Sequence, residues 1–580
     1  MRKSYILLLI ICCGISTHCS KKSPELLIPV FQSFDHRQVY LEGEIGRRMN
    51  LIMNINIPKI DIENVFLDHF RNRSANPDVR DGFVGIGMLL DAIVGLAYYS
   101  KDQEMTDLKE YTTDELIRTQ EDDGYIGIFT EGNRQQGWDT HEGGYIILAL
   151  TNDYILFNEE KSLDAAVKYA DYMIDRKVEQ MTGIDEAFFQ LFHATNDKKY
   201  VDYCINDMGL KDLYFLMQHH TRHVYGHVER ALMQLKLYEI EPDEKLLYKP
   251  HVAIEFLVNI DALDIIGGAG AWEHFNTTHE GHSANAESCA TAYIIWLLND
   301  LLKIEGNSFY GDIMERSIYN ALFAALSPTG DSIRYFTDYE SEKEYYPDDY
   351  FCCPNNYRRI ISDLPELIYY KSNNGIAVNL YNNSQVSFNI KNQDIHIGQE
   401  TDYPASGNVI ISVDPEEQCE FDLKLRIPLW CKNPLVKVNG SELADKPVTG
   451  TFFTITRKWK MGDEIQLFFP MEYRLVNGRG QQWEKVALMR GPVVYGISND
   501  LNPFVVETGE LIIDPGTLSD FVEDNSFRPG GLKCTAILAN EKNTKLTFTE
   551  FIDPTGIKTF FRLSERSDLV EEDEFVLKQY

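Results

Sequence analysis

Basic side chains are scarce in this sequence, with 55 Lys and Arg against 89 Asp and Glu, a formal net charge of −34. Such a field repels phosphate backbones and anionic membrane surfaces, so nucleic acid is excluded as a partner and a neutral or weakly charged ligand fits better. Long hydrophobic runs are missing too. The apolar stretch from Tyr5 to Cys13, behind Met1-Arg2-Lys3, is too short to cross a bilayer as a stable helix and reads as a signal peptide. Residues 1–19 are expected to be a leader, and the mature protein to be exported to the periplasm or outer membrane of a Gram-negative bacterium. Cys19, in Ser16-Thr17-His18-Cys19-Ser20, is a candidate lipid acceptor whose anchor would be the only membrane contact; cleavage nearby without acylation is the alternative. Of 10 cysteines, Cys12, Cys13 and Cys19 fall in this leader, and the seven that remain are an odd number, a poor disulfide framework. There is no low-complexity linker and no strict repeat consensus.

What is present is an ordinary soluble composition, 44% hydrophobic and 25% charged over 580 residues, enough for several domains. From about Val79 to Tyr370 the periodicity is helical, as in Met88–Leu96, Ala165–Met173, Glu186–Ala194, Val228–Leu237, Ala290–Lys303 and Ile313–Leu326. A succession of paired helices without intervening strands suits a toroidal barrel, with a helical solenoid as the competing architecture. After Asn374 the pattern turns to period two, in Ala377–Tyr381, Asp422–Ile427 and Glu464–Phe469, which is β-sandwich material. The fold class expected is multidomain α plus β: a helical barrel over 20–373, a β-sandwich over 374–495, and a β-rich region over 496–580 that completes the sandwich or adds another.

The chemistry is concentrated at two helix starts. Cys352 and Cys353 are adjacent in Tyr350-Phe351-Cys352-Cys353-Pro354-Asn355-Asn356. Consecutive Cα atoms lie about 3.8 Å apart, below the usual disulfide range, so these thiols are not expected to pair with each other. Pro354 marks a helix start that continues through Ile361, which puts both sulfurs at its positive end and favours the thiolate. A buried, inert pair is the alternative. Glu287-Ser288-Cys289 likewise precedes the apolar run Ala290–Lys303, with Ser288 a candidate cap. If the two starts face one another, Glu287, Cys289, Cys352 and Cys353 supply three sulfurs and one carboxylate, a set suited to tetrahedral Zn2+. Core burial of Cys289 beside a solvated Glu287 is the alternative. Upstream, Gly267-Gly268-Ala269-Gly270-Ala271-Trp272-Glu273-His274-Phe275 sets a carboxylate among aromatics, where it could serve as a general acid; a surface Glu in an ordinary turn is the alternative.

Taken together, several motifs resemble the β-L-arabinofuranosidases of glycoside hydrolase family 127. They are Asp123-Gly124-Tyr125, Gly226-His227-Val228-Glu229-Arg230-Ala231, Glu287-Ser288-Cys289, Cys352-Cys353-Pro354, Val378-Asn379-Leu380-Tyr381, Leu425–Trp430 and Ala487–Pro492, spread over most of the mature sequence. The Glu-x-Cys with Cys-Cys-Pro combination is the specific element. The resemblance implies an (α/α)6 barrel followed by β-sandwich domains and a retaining mechanism with a zinc-bound cysteine nucleophile. By motif, Cys352 would be the nucleophile, Glu273 the acid/base, and Glu287, Cys289, Cys352 and Cys353 the metal ligands. His227 and His141 would contact the sugar. Trp272 precedes the acid where relatives carry a small residue, and Asn355 replaces a second proline after Cys-Cys-Pro, so the pocket is expected to be reshaped, with Trp272 against substrate. The implied activity is an exo-acting release of terminal β-L-arabinofuranose from a plant-derived oligosaccharide. Two other readings stand beside it: a furanosidase acting on a branched acidic pectic sugar such as aceric acid, and a non-catalytic carbohydrate-binding lipoprotein with structural zinc. A polysaccharide lyase on a similar toroid would need a Tyr or His base and an Arg or calcium to neutralise a uronate, which the Cys/Glu cluster does not supply.

Overall fold

The computed structural model describes residues 29–76, 83–212, 223–346, 350–506, 510–539, 544–565 and 567–576. The expected leader, residues 1–19, lies outside them. Six helices, Ile86–Ser100, Asp139–Phe157, Ile184–Thr195, Val224–Ile240, Ser288–Glu305 and Cys352–Asp363, are buried along most of their length. Each packs against the next, and the sixth returns to the first, so the ring closes. A helix buried on every side needs no polar stripe, which is why several of these read as nearly continuous apolar runs. Glycine allows the closest approach: a Cβ on Gly87 would stand 2.5 Å from the Ile146 nitrogen on the neighbouring inner helix.

An outer layer of amphipathic helices covers the ring. Gln103–Arg118, Glu160–Asp175, Lys199–Asn206, Tyr248–Val258 and Ser308–Ser317 each follow an inner helix and pack on it. The sixth outer position is filled from the N-terminus, where Gly43–Leu51 packs on the last inner helix. This is the expected (α/α)6 barrel.

Among the described residues, three sheets complete the fold. One has five strands, in the order Phe31–Ser33, Tyr369–Ser372, Gly375–Val378, Cys419–Ile427 and Thr451–Trp459; a second has seven and includes Val39–Leu41 paired with Ser384–Ile390. Burial alternates along these strands, as in Gln393–Thr401, so one face of each lies inward. The third sheet is built from strands between Tyr473 and Glu571. The boundaries expected at 373/374 and 495/496 therefore shift. Strands near Phe31 and Val39 belong to the sandwich, not the barrel segment, and Tyr473–Asn477, Val486–Arg490 and Val493–Ser498 belong to the third sheet. Period two continues across the joint, and only strand pairing separates the units. Arg426 locks sandwich to barrel: fully buried, it pairs with Asp312 and Glu315 on the outer helix Ser308–Ser317.

Candidate active site

The glycine-rich loop ends in a two-residue hairpin. Ala271 and His274 exchange both backbone hydrogen bonds, at 2.8 and 3.0 Å, leaving Trp272 and Glu273 as the central pair with φ of 49° and 65°. Two successive positive φ values are what a type I′ turn demands, and Asn-Gly is its usual sequence. Trp and Glu adopt this conformation at a cost, held by Trp272 N–H to Ala284 O at 3.0 Å and by Val224 N–H to Glu273 O at 2.8 Å. The second bond ties the turn to the start of inner helix Val224–Ile240. The Trp272 indole is 67% exposed on the rim, its ring 6.3 Å from that of Phe336.

Cys352 and Cys353 are the first two residues of their helix, and Glu287 is the N-cap of the helix that carries Cys289. The two helix starts meet, so that the three sulfurs lie within 4.8 Å of one another, all buried. Glu287, wholly buried, places Oε1 3.7 Å from Cys353 Sγ. The three sulfurs form one group, and Glu287 lies between it and a second group with His223 and Glu273. Among themselves the thiols are unequal. Hydrogen bonds from Cys289 and Cys353 hold Cys352 well below the usual thiol range, while burial pushes Cys289 and Cys353 up. Burial likewise drives the Glu287 carboxyl well above the ordinary range, with the Cys352 charge adding to it. Cys352 alone of the three has measurable exposure, 9%, and so faces the mouth.

This donor set suits a zinc ion. Glu287 Oε2 is buried with no hydrogen-bond partner on a carboxylate that touches Cys353 and Cys289, and a dication would satisfy it without further donors. It would also reverse the upward shifts, since a coordinating thiol is deprotonated.

Tyr335 and His223 join the site without having been singled out in the sequence. The Tyr335 hydroxyl donates to Glu273 Oε1 and lies 3.6 Å from Cys352 Sγ. Burial and the neighbouring sulfurs push its pKa far up, so it stays a donor. His223 Nε2 is 3.4 Å from Glu273 Oε2 and 3.9 Å from Glu287 Oε1. The expected His227 stands one turn further along the helix that His223 caps, buried, with its ring edge-on to Phe275. The spacing of four between His223 and His227 was the available signal, since residues that far apart lie on one side of a helix. His141 is buried, with Nδ1 2.7 Å from Thr182 Oγ1 and Nε2 3.4 Å from the Tyr225 hydroxyl; burial lowers it to about 4, so it is a neutral imidazole. His279 is buried against Asp261 and Asp264, away from the sulfurs in its contacts.

Comparisons with known proteins place the chain in a family. The β-L-arabinofuranosidase GH127 catalytic domain matches residues 48–366, and the GH127 middle domain matches 375–471. A non-reducing end β-L-arabinofuranosidase of Bifidobacterium longum subsp. longum is 23% identical over 503 residues, 72% of this chain and 75% of that protein. Two solved structures share the fold. A GH127 β-L-arabinofuranosidase from Geobacillus stearothermophilus T6 superposes with a TM-score of 0.76 at 22% identity, covering 91% of this chain and all of that one. A second GH127 β-arabinofuranosidase gives 0.77 at 20% identity, covering 92% and 98%. With both family domains matched in order along the chain, it belongs to glycoside hydrolase family 127, the β-L-arabinofuranosidase family.

Proposed function

We propose that this protein is a retaining exo-glycosidase that releases terminal β-L-arabinofuranose from plant-derived oligosaccharides, with Cys352 as nucleophile and Glu273 as acid/base. The observation that carries it is the Tyr335 hydroxyl, which touches both the Glu273 carboxyl and the Cys352 sulfur and so sets the two reacting groups a short span apart. Retaining enzymes need that proximity, because the same acid serves a displacement at the nucleophile and the hydrolysis that follows.

Glu273 protonates the glycosidic oxygen as the anomeric carbon–oxygen bond breaks, and Cys352 Sγ forms a bond to that carbon. The Glu273 carboxylate then removes a proton from water, whose oxygen attacks the same carbon. The carbon–sulfur bond breaks, returning the Cys352 thiolate and the protonated Glu273. Glu287, Cys289, Cys352 and Cys353 would hold Zn2+, which when bound keeps the sulfurs deprotonated and oriented. Trp272, His141 and His227 are the proposed sugar contacts. A neutral His141 supports an uncharged furanose over the acidic aceric acid. Export through a leader at residues 1–19, with or without acylation of Cys19, belongs to the same proposal.

The test is hydrolysis of an aryl β-L-arabinofuranoside. Cys352→Ser and Glu273→Gln are each expected to lower kcat by at least about a hundredfold with the fold intact by circular dichroism. Near wild-type turnover in either variant would sink the assignment, and a wild-type protein that binds arabinosides without cleaving them would favour the non-catalytic reading.

A further inference from the structure

Behind the three sulfurs lies a buried amide whose orientation is fixed. Asn356 Nδ2 donates to Cys289 Sγ at 3.2 Å, and Asn356 Oδ1 accepts from Arg359 Nη1 at 2.9 Å. Arg359 is anchored in turn, through Nε to Asp91 Oδ2 at 2.7 Å and through Nη2 to Glu186 Oε1 at 2.6 Å. Asn356 is wholly buried and Arg359 is 3% exposed. Cys353, Asn356 and Arg359 follow one another at intervals of three on the helix Cys352–Asp363, so sulfur, amide and guanidinium share one face.

Because the guanidinium can only donate, it leaves the amide no choice but to present its NH2 group to the sulfur. A neutral thiol returns little for that donor. A metal-bound sulfur carries no proton and returns roughly twice as much, since the bond is then charge-assisted. Among the described residues the two other sulfurs lack this arrangement, since Cys353 faces Glu287 and Cys352 faces the Tyr335 hydroxyl at the mouth.

We propose that Asn356, locked by Arg359, is a positioning residue that holds the Cys289 sulfur in place as a ligand of the site, while Cys352, at the mouth, is the sulfur that reacts. This rests on the zinc reading above and adds to it the reason the sulfurs take different roles.

The test uses the zinc-loaded enzyme challenged with a chelator. Asn356→Ala and Asn356→Asp should weaken zinc retention about 10- to 100-fold, and the cobalt-substituted protein should show an altered thiolate-to-cobalt absorption band. Asn356→Gln, which keeps an amide, and Arg359→Lys, which loosens the lock, should fall between these and wild type. Wild-type zinc retention with an unchanged cobalt band in Asn356→Ala overturns the proposal, whatever the activity does. So does an equal loss of thermal midpoint in the metal-stripped and loaded Asn356→Ala protein, which would make the residue a support of the fold alone. A wild-type protein that takes up no zinc is seen before any variant is made, and it refutes the metal reading itself.

Discussion

Tyr335 bonds to Glu273 and stands 3.6 Å from Cys352 Sγ, so removing one oxygen atom disturbs both reacting groups at once. A hydrogen bond to a charged partner contributes about 1.5–3 kcal/mol. Tyr335→Phe should therefore lower kcat by roughly 10- to 150-fold with little change in thermal midpoint, as steady-state kinetics and calorimetry would show. At this scale the sequence was legible where chemistry and position coincide. Adjacent thiols before a proline, and Glu-x-Cys before an apolar run, announce helix starts, and those starts do meet. Tyr335 was not legible, because a lone Tyr in Arg334-Tyr335-Phe336 carries no signal before the chain is folded, and His223 offered only its spacing of four from His227.

The hairpin turn Trp272-Glu273 is the element that places the acid. A left-handed conformation costs an L-residue about 1–2 kcal/mol, and Asn tolerates it better than Trp, while a β-branched residue tolerates it worst. Trp272→Asn should leave the thermal midpoint unchanged or higher and Trp272→Val should lower it, as differential scanning calorimetry would show. A turn optimised for stability alone would read Asn-Gly and would have no acid. The helices of the barrel were legible from their 3.6-residue period, and the helix expected over Ile313–Leu326 appears as Ser308–Ser317 continued through Ala325. This turn was hidden, since Trp-Glu lacks the turn chemistry that would mark it.

At the scale of the whole molecule, the N-terminal segment is stapled to the end of the last inner helix by His36, whose Nε2 lies 2.8 Å from Glu366 Oε1. Burial alone would lower the imidazole, but the Glu366 hydrogen bond and charge, with Asp363 and Asp35 adding, raise it from 6.5 to about 9. The unfolded chain loses this proton near 6.5 and the folded one near 9, so the stabilisation is whole below pH 6.5 and fades as the pH rises to about 9. His36→Gln should flatten the decline in stability across that window, measured by urea unfolding at a series of pH values. Which segments form one domain was the least legible property, because the barrel and sandwich both draw on strands and helices near residues 31–51, and period two carries no record of a strand's partner.

The same closure has a consequence in time. Phe31 pairs with Ser372, and Val39 with Val386, so the first of the described strands wait for partners more than three hundred residues downstream. At about 5–20 residues per second of synthesis, they stay single for roughly a quarter of a minute to a minute. Any chain stopped before Tyr369 lacks the strand that pairs with Phe31–Ser33.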